Sequence, residues 1–270
     1  VTGRMIGTKV GRLHVRVDGP AGARPLVLIH GFASSLQRMG RIADLLAENY
    51  RVIRVDLLGH GFSETAKDLD APAQAAAIIE VLDQLGVNDV VAVGHSFGAD
   101  VAVELVTAGR AAACVVIGQA PDYSYSKLPP ALLPQVVPMG LVHRFLPAPF
   151  VRLGARSGYA PGFRISAVSD EPNAFVRDYS VFDPKMYEIV LATRGKRLAK
   201  RPLDALLRES GVPALAIHGD RDLIWDWRKT IARYRSAGIE VATVDGTGHS
   251  PNVERPVTVA GLIRDFIEKH

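Results

Sequence analysis

The sequence predicts an α/β fold: a mostly parallel sheet of eight strands flanked by helices on both faces, with an inserted helical cap. Three observations predict it. Short β-branched runs alternate with segments whose apolar residues recur at helical spacing, the rhythm of a parallel sheet. Residues 89–99, DVVAVGHSFGA, run an apolar strand straight into a helix through Gly94-His95-Ser96-Phe97-Gly98. Between Gln119 and Arg201 that rhythm stops, and ten of the 17 prolines fall there. Prolines at that density break any long helix into short pieces.

Residues 4–17 read as two strands about a turn near Gly11, with Leu13, Val15 and Val17 alternating with His14 and Arg16. Such alternation marks a half-exposed strand. After the turn Gly19–Gly22, PLVLI (25–29) is fully apolar and ends at His30-Gly31-Phe32. Residues 35–48 read as a helix through Leu36, Met39, Ile42, Ala43, Leu45 and Leu46. The strand RVIRV (51–55) leads into DLLGHGFS (56–63), a glycine-punctuated loop. A helix over 71–85 carries Ile78, Ile79, Val81, Leu82 and Leu85, with Gly86 as its stop. Val90 to Val93 form the central strand, a helix runs on to about Ala108, and 112–117 is the next strand.

The segment 119–202 is read as the cap, with its aromatic residues facing the site and the main domain. The rhythm returns with a short helix at 203–210, the strand PALAIH (213–218), and the loop Gly219-Asp220-Arg221-Asp222. A helix over 225–237 stops at Gly238, 239–244 is the last strand, and DGTGHSP (245–251) is a loop. A closing helix over 253–269 has Pro256 near its start. The core is then 1–118 and 203–270, around the cap 119–202.

At 270 residues, 48% of them hydrophobic, the chain fills one domain with an insertion. Its net charge of +4 favours solubility. No lysine–arginine run is long enough to track a phosphate backbone and no zinc-finger spacing exists, so nucleic acid is not an expected partner. The densest basic stretch, Arg194–Arg201, is read as a solvated helix face near the domain join. Cys114 is the sole cysteine, which excludes an intrachain disulfide, and it falls in a buried strand. No apolar stretch approaches the roughly 18 residues of a membrane helix. The first residues carry no signal-like apolar run. A cytoplasmic monomer or homodimer acting on a small molecule is expected, with no membrane insertion, metal or organic cofactor.

The chemistry centres on Ser96. Gly94 and Gly98 leave room for strand and helix to approach closely around it. The serine is expected to carry backbone strain that projects its hydroxyl above the sheet. A serine hydroxyl needs a base, and that base needs a carboxylate to orient it. His249, in the loop past the last strand, is the expected base. His30 and His60 have structural roles in their own loops, and the side chain of His95 points elsewhere from that of Ser96. Asp222 is the expected carboxylate. Asp220 is assigned to loop amides, and Asp122 is a more distant alternative. The backbone amides of Phe32 and Phe97 are the expected oxyanion donors. The rings of Phe32 and Phe97 are expected to line the acyl pocket, with Tyr123, Tyr125 and Leu223 also against substrate. Arg152, Arg156, Arg164 and Arg177 are read as surface charge or ion-pair partners, with contact to an anionic group as the alternative.

With these residues in hand, the chain resembles the α/β-hydrolase family over roughly 1–118 and 203–270. His30-Gly31-Phe32 matches the family's oxyanion motif, and Asp56, Gly59, Gly61 and Ser63 match its Asp-x-x-Gly-x-Gly-x-Ser loop. Gly94 to Gly98 match its nucleophile elbow, and Ser96, Asp222, His249 follow its chain order. Where the family often has a proline soon after the acid, this chain has Ile224-Trp225-Asp226-Trp227. A serine nucleophile separates it from the epoxide hydrolase and haloalkane dehalogenase subgroups. The resemblance implies hydrolysis of a carboxylic ester of a small to medium, largely apolar substrate through an acyl-enzyme. Two alternatives share the motif: acyl transfer, perhydrolysis or carbon–carbon cleavage by the same serine, and a non-catalytic ligand-binding protein on the same fold.

Overall fold

The computed structural model describes residues 3–128, 138, 140, 142–164 and 174–270. The strands are β1 (Arg4–Thr8), β2 (Gly11–Asp18), β3 (Pro25–Ile29), β4 (Arg51–Val55), β5 (Val90–His95), β6 (Ala111–Ile117), β7 (Ala214–Gly219) and β8 (Glu240–Val244). They form one sheet in the order β1-β2-β4-β3-β5-β6-β7-β8. Only β2 pairs antiparallel, with β1 and β4; every other pairing is parallel. Register sets Ile29 beside Gly94 and His95 beside Ile117, so the ends of β3, β5 and β6 meet at one edge.

Side chains alternate across the sheet, so each apolar strand feeds two cores. Val27, Ile29, Ala92 and Val116 join one core, with helices α2 (Ala71–Gln84) and α3 (Phe97–Thr107). Leu26, Leu28, Val91, Val93 and Val115 join the other, under α1 (Gly40–Leu46).

Three helices differ from their sequence reading. Residues 35–48 split into a tight 3₁₀ turn over Leu36–Met39 and α1, because Met39 sits at φ −96°, ψ 0°. The helix expected at 225 begins two residues later, since Trp225 is drawn into an extended bridge with Ser126. The closing helix is two helices, broken where Pro256 opens the second.

Between β6 and β7 lie α4 (Ala148–Ala155), α5 (Ala174–Val181), α6 (Lys185–Glu188), α7 (Arg194–Lys200) and α8 (Leu203–Ser210). They are followed by α9 (Trp227–Ser236), α10 (Pro251–Glu254) and α11 (Pro256–Lys269). Parts of the expected cap at 129–137, 139, 141 and 165–173 lie outside the described residues. Its aromatics do not all face inward. Phe182 and Tyr187 are buried against the Phe32 ring, whereas Phe145 and Phe150 are exposed.

The basic stretch is not a solvated face throughout. Arg194 is buried and clasps Asp100 of α3 at 2.8 and 2.5 Å. Arg197 binds Asp100 at 2.7 Å and Glu104 at 2.5 Å. Their i, i+3 and i, i+4 spacings put the paired charges on facing helix surfaces. Removing one partner of a buried pair strands the other charge. Arg194→Met is therefore expected to cost about 3 kcal/mol in urea unfolding, and adding Asp100→Leu to recover much of it. A loss below about 1 kcal/mol would show the clasp to be incidental.

Candidate active site

Ser96 caps α3 at the end of β5, with φ 52° and ψ −122°. A non-glycine residue there carries strain of about 1–3 kcal/mol, which the surroundings must impose. They do so through backbone contacts. The Ser96 amide donates to Ile117 O at 2.9 Å, and its carbonyl accepts from the Ala99 amide at 2.9 Å. A Cβ on Gly94 would lie 2.2 Å from Gly98 O, and one on Gly98 would lie 2.4 Å from the carbonyls of Ile29 and His30. Strand and helix are thus in direct backbone contact on either side of the half-buried serine.

Asp222 is fully buried in the loop after β7. Its Oδ1 accepts from the amides of Ile224 at 2.7 Å and Trp225 at 3.1 Å, and its Oδ2 from His249 Nδ1 at 3.1 Å. Burial pushes its pKa up. The charge and hydrogen bond of His249, with the loop amides, outweigh that and hold it below the usual carboxylate range. An ionised Asp222 accepting from Nδ1–H leaves Nε2 of His249 as the free lone pair. The His249 carbonyl accepts from His95 Nε2 at 3.0 Å, and Gly118 lies so close that a Cβ there would be 2.3 Å from that carbonyl.

Asp220 instead accepts from the Gly246 amide at 2.7 Å, and Asp122 is held by Arg233 at 2.8 Å. Ser96 and His249 line the same cavity. Among the described residues no hydrogen bond joins the Ser96 hydroxyl to His249; in such sites that bond is often long until substrate is in place.

The segment Tyr125–Lys127 pairs with the acid loop. The Asp226 amide donates to Tyr125 O, the Lys127 amide to Ile224 O, and the Lys127 ammonium to the Asp222 carbonyl. Nothing local in the sequence marks this pairing, and the same is true of His218. That buried imidazole stands 3.9 Å from Asp222 Oδ2 through Nδ1, with Nε2 directed at Gln119 O.

His30 sets the peptide on the other wall. Its Nε2 accepts from the Leu57 amide at 3.0 Å, so Nδ1 carries the proton and donates to Gly31 O at 2.8 Å. The Gly31 carbonyl and Phe32 N–H belong to one peptide plane and point oppositely. Fixing that carbonyl therefore fixes the direction of the Phe32 amide. A Cβ on Gly31 would stand 3.0 Å from Ser96 Cβ, which puts this peptide against the serine. The Phe97 amide is at the first turn of α3, where helical amides have no partner within the helix.

The cavity measures about 300 Å³ and is lined by Gly31, Phe32, His95, Ser96, Phe175, Tyr179, Ile224 and His249, among others. Four expected lining groups lie elsewhere. The Phe97 ring is buried in the core, 5.8 Å from the Arg194 guanidinium. Tyr123 donates to Val190 O and packs edge-on to Trp225. Tyr125 lies under Arg233, and Leu223 turns outward, leaving its neighbour Ile224 at the cavity wall. His95 is also part of the wall, with its Nε2 turned to His249 O. Sequence reading also missed Arg38, a buried arginine in that wall. Among the described residues no cluster of three or more metal-ligating side chains forms, and no helix is long and apolar enough to cross a membrane.

The buried histidines make the fold acid-sensitive. Burial, with the charge of His30, pushes His60 down from 6.5 to about 3. Burial, with the charge of His249, does the same to His95, also to about 3. Their folded values lie below the unfolded one, so between those limits the unfolded chain binds protons that the folded chain refuses. Stability then falls as pH falls, by about 1.4 kcal/mol per pH unit for each histidine. Urea midpoints are expected to drop steadily from pH 6 to pH 4. A midpoint flat over that range would refute the burial argument.

A family model described as the alpha/beta hydrolase family matches residues 26–262. Over 96 residues the chain is 40% identical to lipase LipV of Mycobacterium tuberculosis, covering 36% of each chain. Over 102 residues it is 33% identical to esterase YbfF of Escherichia coli, covering 37% of this chain and 40% of that one. These alignments thus span well under half of either relative. A solved esterase, EaEST from Exiguobacterium antarcticum, superposes with a TM-score of 0.81 at 17% identity, over 99% of this chain and 100% of that one.

Proposed function

The chain belongs to the alpha/beta hydrolase family, and from that premise we propose that it is a serine hydrolase of carboxylic esters working through an acyl-enzyme. One observation carries the reading. His249, bonded at 3.1 Å to the buried Asp222, lines the same cavity as a serine held at φ 52°. The esterase and lipase names of the relatives support the ester class.

In this mechanism His249 Nε2 takes the proton of Ser96 as its oxygen attacks the ester carbonyl. Asp222 stabilises the imidazolium that forms and holds its tautomer. The Phe32 and Phe97 amides receive the developing oxyanion, and the N-terminus of α3 adds its partial positive charge. The imidazolium then protonates the departing alcohol, and water repeats the sequence on the acyl-enzyme. The cavity volume is at the small end of the range for ligand sites, which favours a small acyl group. The described part of 119–202, which brings Val151, Tyr159, Phe175 and Tyr179 to the cavity wall, acts as the cap over this centre.

Hydrolysis of a short-chain nitrophenyl ester, with fluorophosphonate labelling of Ser96, tests the reading. Neither turnover nor label would end it in favour of a binding protein. Asp222→Asn is expected to leave the fold intact and lower kcat by about 10⁴-fold, since the amide no longer holds the required tautomer. A loss under about tenfold would remove Asp222 from the mechanism.

A further inference from the structure

Arg38 is a cation in the cavity that ester hydrolysis as described leaves unused. Its side chain is only 7% exposed, yet it lines the same cavity as Ser96. Burial lowers the pKa of both His30 and His95, and the positive charge of Arg38 adds a smaller push in the same direction. The guanidinium is fixed from three directions. Its Cζ lies over the Phe175 ring, 4.4 Å from the centroid. Nη1 donates to the Tyr159 hydroxyl. Asp178 stands on the Nε side at 4.0 Å, beyond hydrogen-bond length, with its near oxygen already accepting from Ser35 at 2.8 Å.

A guanidinium offers five N–H donors in a fixed fork. Among the described residues the Tyr159 hydroxyl alone takes a hydrogen bond from it. No nitrogen of Arg38 is among the buried side-chain atoms left without a partner, so the remaining donors stay accessible in a residue that lines the cavity. A planar fork of this kind matches a carboxylate with two parallel hydrogen bonds.

We propose that Arg38 is a specificity-determining residue that binds a carboxylate of the substrate, so that the preferred esters are small monoanions. This rests on the ester-hydrolase reading for the position of the reacting carbonyl. The carboxylate has two possible sources, the acyl half or the alcohol half of the ester. Either way the guanidinium would hold one end of the substrate while Ser96 meets the other, and binding energy at a remote group would orient the carbonyl.

The test compares kcat/KM for charged and neutral partners of similar size. One arm sets nitrophenyl hemisuccinate against nitrophenyl butyrate, placing the charge in the acyl half. The other sets O-butyrylglycolate against ethyl butyrate, placing it in the alcohol half. Arg38→Met is expected to lower the charged-to-neutral ratio about 10- to 100-fold in one arm, the effect of a hydrogen bond to a charged group. Arg38→Lys is expected to restore part of it, because it keeps the charge without the fork. A role confined to packing would shift both members of a pair alike. Ratios unchanged within twofold in both arms would overturn the proposal.

Binding to the Ser96→Ala protein by calorimetry needs neither turnover nor a folded Arg38 variant. Monomethyl glutarate is expected to bind at least tenfold more tightly than dimethyl glutarate. Equal affinities would overturn the subsite. If the wild-type protein cleaves no ester at all, the hydrolase reading falls, and this binding comparison still decides for or against the carboxylate site.

Discussion

Ser96→Ala is expected to lower kcat for ester hydrolysis by about 10⁴- to 10⁶-fold while leaving the protein folded. Without the hydroxyl, His249 has no attached nucleophile to activate, and the covalent route is lost. What survives is attack by water assisted by the Phe32 and Phe97 amides. Thermal unfolding separates this chemistry from damage to the fold. Alanine inherits the φ of 52° and so the strain, and its melting temperature should stay within a few degrees of wild type. Ser96→Gly should lose the same activity and melt higher, since glycine adopts this conformation freely. Turnover by Ser96→Ala within tenfold of wild type would remove the serine from the mechanism.

The second large effect is on stability. Gly98→Ala would set a Cβ 2.4 Å from two carbonyl oxygens at the end of β3, and neither belongs to a flexible side chain. Gly94→Ala would set one 2.2 Å from Gly98 O. Relief requires moving α3 away from β3 and β5, at a cost of about 3 kcal/mol or more. It would also shift the His30–Phe32 peptide away from Ser96, and a misplacement near 1 Å can cost about 100-fold in rate. Urea unfolding and nitrophenyl ester kinetics read the two losses. A Gly94→Ala protein with a wild-type midpoint and wild-type turnover would contradict the contact.

What could be read from the sequence was whatever the chain writes locally. The β5 run, the glycine pair and the helix after it occupy consecutive residues, so strand, turn and helix are visible in one window. Asp222 and His249 each sit just past an apolar run, which placed them at the sheet edge where their hydrogen bond forms. Arg38, by contrast, falls among the polar positions of a predicted helix. Its partners Tyr159, Phe175 and Asp178 arrive from more than a hundred residues away. The Arg194 clasp on Asp100 spans a similar separation, so a helix read as solvated proved partly buried. The Phe97 ring was misplaced for another reason. It follows Ser96 at the first turn of α3, and from there its side chain packs into the core.

The bonds between Tyr125–Lys127 and the acid loop bear on how this protein could be recombined with its relatives. Exchanging residues 119–202 alone would replace Tyr125–Lys127 and leave the Asp222 loop without the native partners that pair with it. A chimaera that also carries the donor's version of 222–227 keeps both sides of that seam together. The inheritable module is therefore larger than the insertion itself, and its second piece lies in what the chain order assigns to the scaffold.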